Sequence, residues 1–298
     1  MTLSPESLRI LQALSIRTKR SFYGTRYGSH RSLRRGHGIE FAEYRTYEAG
    51  DNPRSIDWNL YGRSDKLYSK RYLEEENVVV YLVIDGSHSI MHPALREKWE
   101  CVQCIALATS FVALASHDTV VLSILGGKTS QKFSGPRSFH QIQAFLSSQE
   151  KSEYQATREQ VDMERQVQTL AARLSFPGIC IFISDFLYSP EVLHGMLSNL
   201  RARNLEIHAV QVLGATDSSP FGRGDGGACI DSETGELRGV AGSTQALERY
   251  SQLLNEHNEA VRSLCLSQGA TLVQASLDEK ADAEEVALNA VTAMGIFV

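Results

Sequence analysis

Three oxygen-bearing side chains, Asp85, Ser87 and Ser89, stand at alternate positions in Asp85-Gly86-Ser87-His88-Ser89, directly after the apolar run 78–84. One carboxylate with two hydroxyls, and no thiolate in the set, suits a hard dication such as Mg²⁺ or Mn²⁺. Alternate spacing within a turn lets the three oxygens converge. The same residue types also cap helix N-termini, where Asp and Ser accept from free backbone N–H groups, so the local sequence leaves both uses open.

Two strands have to position such a site. The run 78–84 is rich in β-branched residues and reads as a central parallel strand covered on both faces; sheets of that kind place ligands beyond the carboxyl ends of their strands. A second buried strand, 179–183, follows Pro177-Gly178 and ends in Ser184-Asp185-Phe186, so another carboxylate arrives at a strand end. Between them lies the polar stretch 152–157, whose Thr157 stands 28 residues ahead of Asp185.

The remaining pattern predicts a helix over 3–20, capped by Ser4 with Pro5 at its first position, then loop over 22–38, where neither period is visible. Helices are expected at 96–116, 139–146, 160–174, 190–203, 247–266 and 281–294. Strands are expected at 119–125, 206–213 and 271–275, with a short edge strand at 132–133 and a hairpin over 228–240. Strands alternating with helices imply an α/β fold, a doubly wound, mainly parallel Rossmann-like sheet over 77–298 preceded by a basic N-terminal segment, 1–76.

Charge divides the chain in the same way. The net charge is −5, yet residues 1–76 hold 14 Lys/Arg against 10 Asp/Glu, and residues 77–298 hold 16 against 25. A basic segment can bind nucleic acid or an acidic protein surface, or dock on the acidic remainder of its own chain, which is the expectation for 1–76. Five scattered cysteines argue for reduced thiols, and the lone Cys101-x-x-Cys104 in an apolar run reads as helix packing. No run approaches the roughly 18 apolar residues of a membrane span, and the N-terminus has no leader pattern, so a cytoplasmic location and no membrane partner are expected.

The motif Asp85-x-Ser87-x-Ser89 resembles the metal-ion-dependent adhesion site of von Willebrand factor type A domains. The resemblance implies that the two serines bind Mg²⁺ or Mn²⁺ directly, that Thr157 joins them, and that Asp185 acts largely through water. A denser match precedes it. Gly38, Glu40, Phe41, Arg45, Tyr47, Gly50, Asp51, Arg54, Ile56, Asp57 and Trp58 resemble the bacterial family catalogued as domain of unknown function 58. In that block Asp51, Arg54 and Asp57 are expected to form a buried ion-pair and aromatic knot. The family resemblance implies a substrate adaptor or co-chaperone of a MoxR-type AAA+ ATPase, with an acidic side chain of a protein partner completing the ion's coordination.

Two other functions share these features. Asp at a strand end also starts Mg²⁺-dependent phosphohydrolase sites, although the second Asp such sites carry two positions on is Ser87 here. Nucleic-acid binding by the basic segment is the other, with Phe22, Tyr23 and Tyr27 interleaved among its charges. The non-catalytic, metal-dependent protein-binding module is the reading the residues favour.

Overall fold

The computed structural model describes residues 2–17, 27–36, 40–48, 50–76, 78–92, 96–126, 130–149, 160–174, 178–218, 227–230, 237–240, 244–278 and 281–297. It forms two compact units, one made of Met1–Lys19 with Val79–Val298 and the other of Arg20–Val78. The expected division at residue 76 is therefore corrected for the first 19 residues. Helix α1 (Pro5–Gln12) belongs to the larger unit. Ser4 caps it through Ser7 N–H, as predicted, and Pro5 fills its first position. The helix ends well short of residue 20 because the chain pairs elsewhere: Ile16 bridges to Phe297, and Arg17 N–H donates to Ile296 O at 2.7 Å. Leu11 and Ile16 are buried, and Glu284 holds the cap by accepting from Ser4 N–H at 2.7 Å and from the Ser7 hydroxyl.

The smaller unit is an antiparallel sheet of order β1 (Tyr27–Gly36), β3 (Tyr68–Glu76), β2 (Glu40–Thr46), with helix α2 (Trp58–Ser64) between β2 and β3. The loop expected over 22–38 is thus corrected to include a ten-residue strand. Its sequence carries no period-2 signal, and its pairing with β3 shifts register twice, so main-chain hydrogen bonding and not side-chain alternation defines it.

In the larger unit, six strands order as β11 (Thr271–Ser276), β8 (Glu206–Leu213), β7 (Ile179–Ser184), β4 (Val79–Ile84), β5 (Thr119–Ile124) and β6 (Ser130–Ser134). All neighbours run parallel except β6, which is antiparallel to β5. This is the mainly parallel α/β sheet the sequence predicts. From β4 the chain first adds β5 and β6 on one side and then returns to add β7, β8 and β11 on the other. The strand order therefore reverses between β4 and β7, where open α/β sheets form a crevice at the carboxyl ends.

Helix α3 (His88–Met91) is a single turn after β4, and α4 (Arg96–Ala115) packs across the sheet. Helices α5 (Phe139–Gln149), α6 (Gln160–Arg173), α7 (Pro190–Arg201), α8 (Ala215–Ser218), α9 (Thr244–Ser267) and α10 (Ala283–Ala293) follow, with the hairpin β9 (Gly227–Ile230) and β10 (Leu237–Val240) before α9. One face of the sheet buries Tyr81, Val83, Phe182 and Ile207 against Met163 and Val167 of α6, Leu193 and Leu197 of α7, and Val261 of α9. Each large aliphatic side chain buried in this way contributes roughly 1.5–3 kcal/mol.

Helix α4 corrects the expectation that no run is long and apolar enough to cross a membrane. By length and composition it is, and 83% of its apolar window is buried inside the fold. Cys101 and Cys104 lie on it fully buried, and burial pushes both thiols up to about 12, in keeping with packing and against thiolate chemistry.

Candidate functional site at the carboxyl ends of two strands

Register brings the two strand ends together. Ile84 of β4 pairs with Ile183 of β7, so Asp85 and Ser184 leave the sheet side by side, and Asp85 N–H donates to Ile183 O at 2.8 Å. The Asp85 side chain is fully buried and satisfied by three donors. Its Oδ1 accepts from Ser87 N–H at 2.8 Å, and its Oδ2 accepts from Ser184 Oγ at 2.5 Å and from the Tyr188 phenol at 2.8 Å. Burial, then the neighbouring charge of Asp185, raises its pKa above the usual carboxylate range against the pull of those donors. The Tyr188 phenol is also raised, by burial first and then by the charges of Asp85 and Asp185, and so remains a hydroxyl donor.

The helix-cap use of the serines is not what forms. Ser87 occupies the N-cap position of α3, yet its side chain makes no cap hydrogen bond. Its Oγ lies 2.9 Å from Ser89 Oγ instead. The two hydroxyls thus face one another at the mouth of the two strands, with Ser87 buried and Ser89 half-buried.

Asp185 is 1% exposed and equally engaged. Its Oδ2 accepts from Lys98 Nζ at 3.0 Å, its Oδ1 from Leu187 N–H at 3.3 Å, and its carbonyl from Gln211 Nε2 at 3.0 Å. The chain turns sharply after it: Phe186 has φ 54°, a left-handed conformation that costs a non-glycine residue roughly 1–2 kcal/mol. Packing holds it there. The Phe186 ring is buried edge-on against Phe182 at 5.2 Å, its N–H donates to Ser184 Oγ at 2.9 Å, and its carbonyl accepts from His257 Nε2 at 2.8 Å.

Lys98, in the first turn of α4, has its entire side chain buried. Its ammonium bridges Asp185 Oδ2 at 3.0 Å and Asp217 Oδ2 at 2.7 Å. Burial alone would lower its pKa, but the two carboxylates outweigh that and raise it, so the group stays charged. Asp217 is itself set by Gly214 N–H, which donates to its Oδ2 at 2.8 Å, and by Tyr250, whose phenol donates to its carbonyl at 2.6 Å.

Of the predicted site residues, Asp85, Ser87, Ser89 and Asp185 gather at this point, and Thr157 lies outside the described residues. Sequence reasoning missed Lys98, Asp217, Ser184 and Tyr188. Lys98 had a signal: it stands three and four residues before Cys101 and Val102 on the buried stripe of an apolar helix, where a lysine requires a carboxylate partner. Among the described residues no group of three or more His, Cys, Asp and Glu side chains is arranged to hold a metal ion, so an ion here would rest on the serine oxygens. Their geometry fits: the two hydroxyls, hydrogen-bonded to one another at 2.9 Å, are close to the spacing of about 3.0 Å between adjacent oxygens of an octahedral Mg²⁺ with ligands at about 2.1 Å. Both carboxylates already accept from protein donors, which suits contact with an ion through water.

The family-motif block behaves differently from the knot expected of it. Asp57 is buried, caps α2 through the N–H groups of Asn59 and Leu60, and accepts from Lys70 Nζ at 3.0 Å and the Tyr44 phenol at 2.9 Å. Lys70 foremost holds its carboxyl down at about 2. Arg54 is exposed and takes no part, so the pairing of Asp51, Arg54 and Asp57 is corrected to a pairing of Asp57 with Lys70. Asp51 instead accepts from Glu48 N–H at 3.2 Å.

Known proteins give the chain its relatives. The family described as "Protein of unknown function DUF58" matches residues 43–260. Uncharacterised proteins of Mycobacterium bovis and Mycobacterium tuberculosis are each 23% identical over 275 residues, 92% of this chain and 86% of theirs. Among solved structures, the conserved hypothetical protein BatB from Bacteroides thetaiotaomicron is similar at 12% identity and a TM-score of 0.41, over 74% of this chain and 99% of that one. An aerotolerance-related membrane protein from Bacteroides fragilis is similar at 11% identity and a TM-score of 0.42, over 74% of this chain and 99% of its own. Likeness this distant carries nothing about the site. The expectation of a cytoplasmic location is withdrawn, since its ground, that no run is long and apolar enough to cross a membrane, does not hold for α4.

Proposed function

The chain belongs to the DUF58 family, and we propose that it is a non-catalytic protein-binding module whose docking point is a divalent-cation site at Ser87 and Ser89, backed by Asp85 and Asp185. The observation that supports this most is the pair of serine hydroxyls, 2.9 Å apart and not spent on a helix cap, set against two buried carboxylates. Asp85, Asp185 and Asp217 with Lys98 carry a formal charge of −2 when all are ionised, which a dication would offset. Mg²⁺ or Mn²⁺ held there would supply an open coordination position for a partner's Asp or Glu, as the von Willebrand factor type A resemblance implies. Ser87 and Ser89 would hold the ion, Ser184, Tyr188 and Ser87 N–H fix the orientation of Asp85, and Lys98 fixes Asp185. Thr157 completes the proposed set.

A catalytic role is less well supported. An aspartyl nucleophile must present an oxygen to the substrate, whereas Asp85 is fully buried and three of its four lone-pair sites are taken by protein donors, both on Oδ2 and one on Oδ1. The partner class the family resemblance implies is a MoxR-type AAA+ ATPase, for which this chain would serve as adaptor or co-chaperone. Purified ATPase from the same cell should be retained by the immobilised chain in Mg²⁺ and released by chelator. Retention that is equal with and without chelator would contradict the reading.

A further inference from the structure

The block Gly50–Trp58 divides in the folded chain into an inward half and an outward half. Asp57 faces in, and Ile56 bridges to Ser69 of β3. Arg54 and Trp58 face out. Trp58 is 63% exposed and stands edge-on to Tyr61, one helical turn on and 39% exposed, with ring centroids 6.1 Å apart. An indole left in water beside a second ring is not required by α2: the cap that starts the helix is Asp57, and its hydrogen bonds to Asn59 and Leu60 use only main-chain N–H groups. Large exposed aromatic pairs of this kind mark binding surfaces, where Trp, Tyr and Arg carry most of the energy.

The exposed charges of the same segment select the partner. Over residues 53–66 the exposed ionic side chains are Arg54, Arg63 and Lys66 against Asp65, and none of the three cations forms an ion pair among the described residues. The unit Arg20–Val78 as a whole holds 11 Lys/Arg against 9 Asp/Glu. We propose that Trp58 and Tyr61, with Arg54 and Lys66, form a second docking surface that takes an acidic protein segment carrying an aromatic or aliphatic anchor. The anchor packs on the two rings while its acidic neighbours meet the basic side chains, which steer the encounter and fix its polarity. This surface is independent of the cation site and needs no metal.

The test uses the full chain and a fluorescently labelled peptide, Glu-Asp-Phe-Glu-Asp-Leu-Glu, followed by anisotropy in chelator and at low salt, with an oligothymidylate of similar length in parallel. Saturable binding of the peptide is expected. Trp58→Ala should weaken it by at least about tenfold, and Arg54→Glu with Lys66→Glu should weaken it comparably. Ser87→Ala with Ser89→Ala should leave it unchanged, which separates this surface from the proposed cation site. The Trp58→Ala and charge-reversal variants are checked by their melting curves, which should be unaltered because those side chains are exposed. Absence of peptide binding, equal binding by Trp58→Ala, or binding of the oligonucleotide in preference to the peptide would each overturn the proposal.

Discussion

Replacing Lys98 with methionine is expected to destabilise the larger unit by about 3–5 kcal/mol, the range for removing one partner of a buried ion pair. The side chain is fully buried, and its ammonium is shared by Asp185 and Asp217, so the variant leaves Asp185, itself 1% exposed, as a charge with neither water nor counter-ion. The hydrocarbon stem of methionine replaces most of the lost packing, which isolates the electrostatic loss. Denaturant titration of the wild type and variant measures it. Asp217→Asn should cost less, because the Asp217 side chain is 14% exposed and water reaches it. Combining Lys98→Met with Asp185→Asn should recover part of the loss, since the orphaned charge is then gone. A Lys98→Met variant as stable as the wild type would mean that the ammonium does not sustain Asp185.

The second large effect is expected at Gly178, where a methyl group has no room. A Cβ there would lie 2.1 Å from Val79 O and 3.1 Å from Val79 C, both backbone atoms of the strand that carries the site. Gly178 O also accepts from Glu206 N–H at 2.9 Å, so the residue is held from both sides and cannot swing away. Gly178→Ala should therefore push β7 from β4 and cost about 1–3 kcal/mol or more, as overpacking does. Gly62→Ala is the control of opposite sign: nothing lies within 4 Å of the added methyl on exposed helix α2, and alanine should gain roughly 0.5–1 kcal/mol there. Thermal melts of the two variants decide the matter, and a neutral Gly178→Ala would show that the approach of the two strands is looser than described.

What was legible in the sequence was whatever rests on neighbouring residues. The strands 79–84 and 179–183 declare themselves by continuous apolar runs, and Asp85 and Asp185 follow because the first directly succeeds such a run and the second stands one residue past another. The cap of α1 by Ser4 and Pro5 is equally local. What was not legible rests on contacts distant in the chain. Lys98 meets Asp185 across 87 residues, and the Tyr188 phenol meets Asp85 across 103. The strand Tyr27–Gly36 shows no alternation because pairing with β3 defines it, and the end of α1 is set by Phe297 and Ile296 at the far end of the chain. Arg54 and Asp57 looked like partners because they stand three positions apart, yet Lys70 of β3 reaches the carboxylate instead.

In the larger unit the contacts of Lys98 and Tyr188 serve one arrangement, two strand ends held in register so that Ser87 and Ser89 face each other before two braced carboxylates. Isothermal calorimetry with Mn²⁺ or Mg²⁺ tests most directly whether that arrangement takes a cation. A single site per chain is expected in the wild type, absent from Ser87→Ala with Ser89→Ala although the metal-free melting curves coincide. Equal binding by the two proteins, or no binding by the wild type, would contradict a cation docking point at these serines.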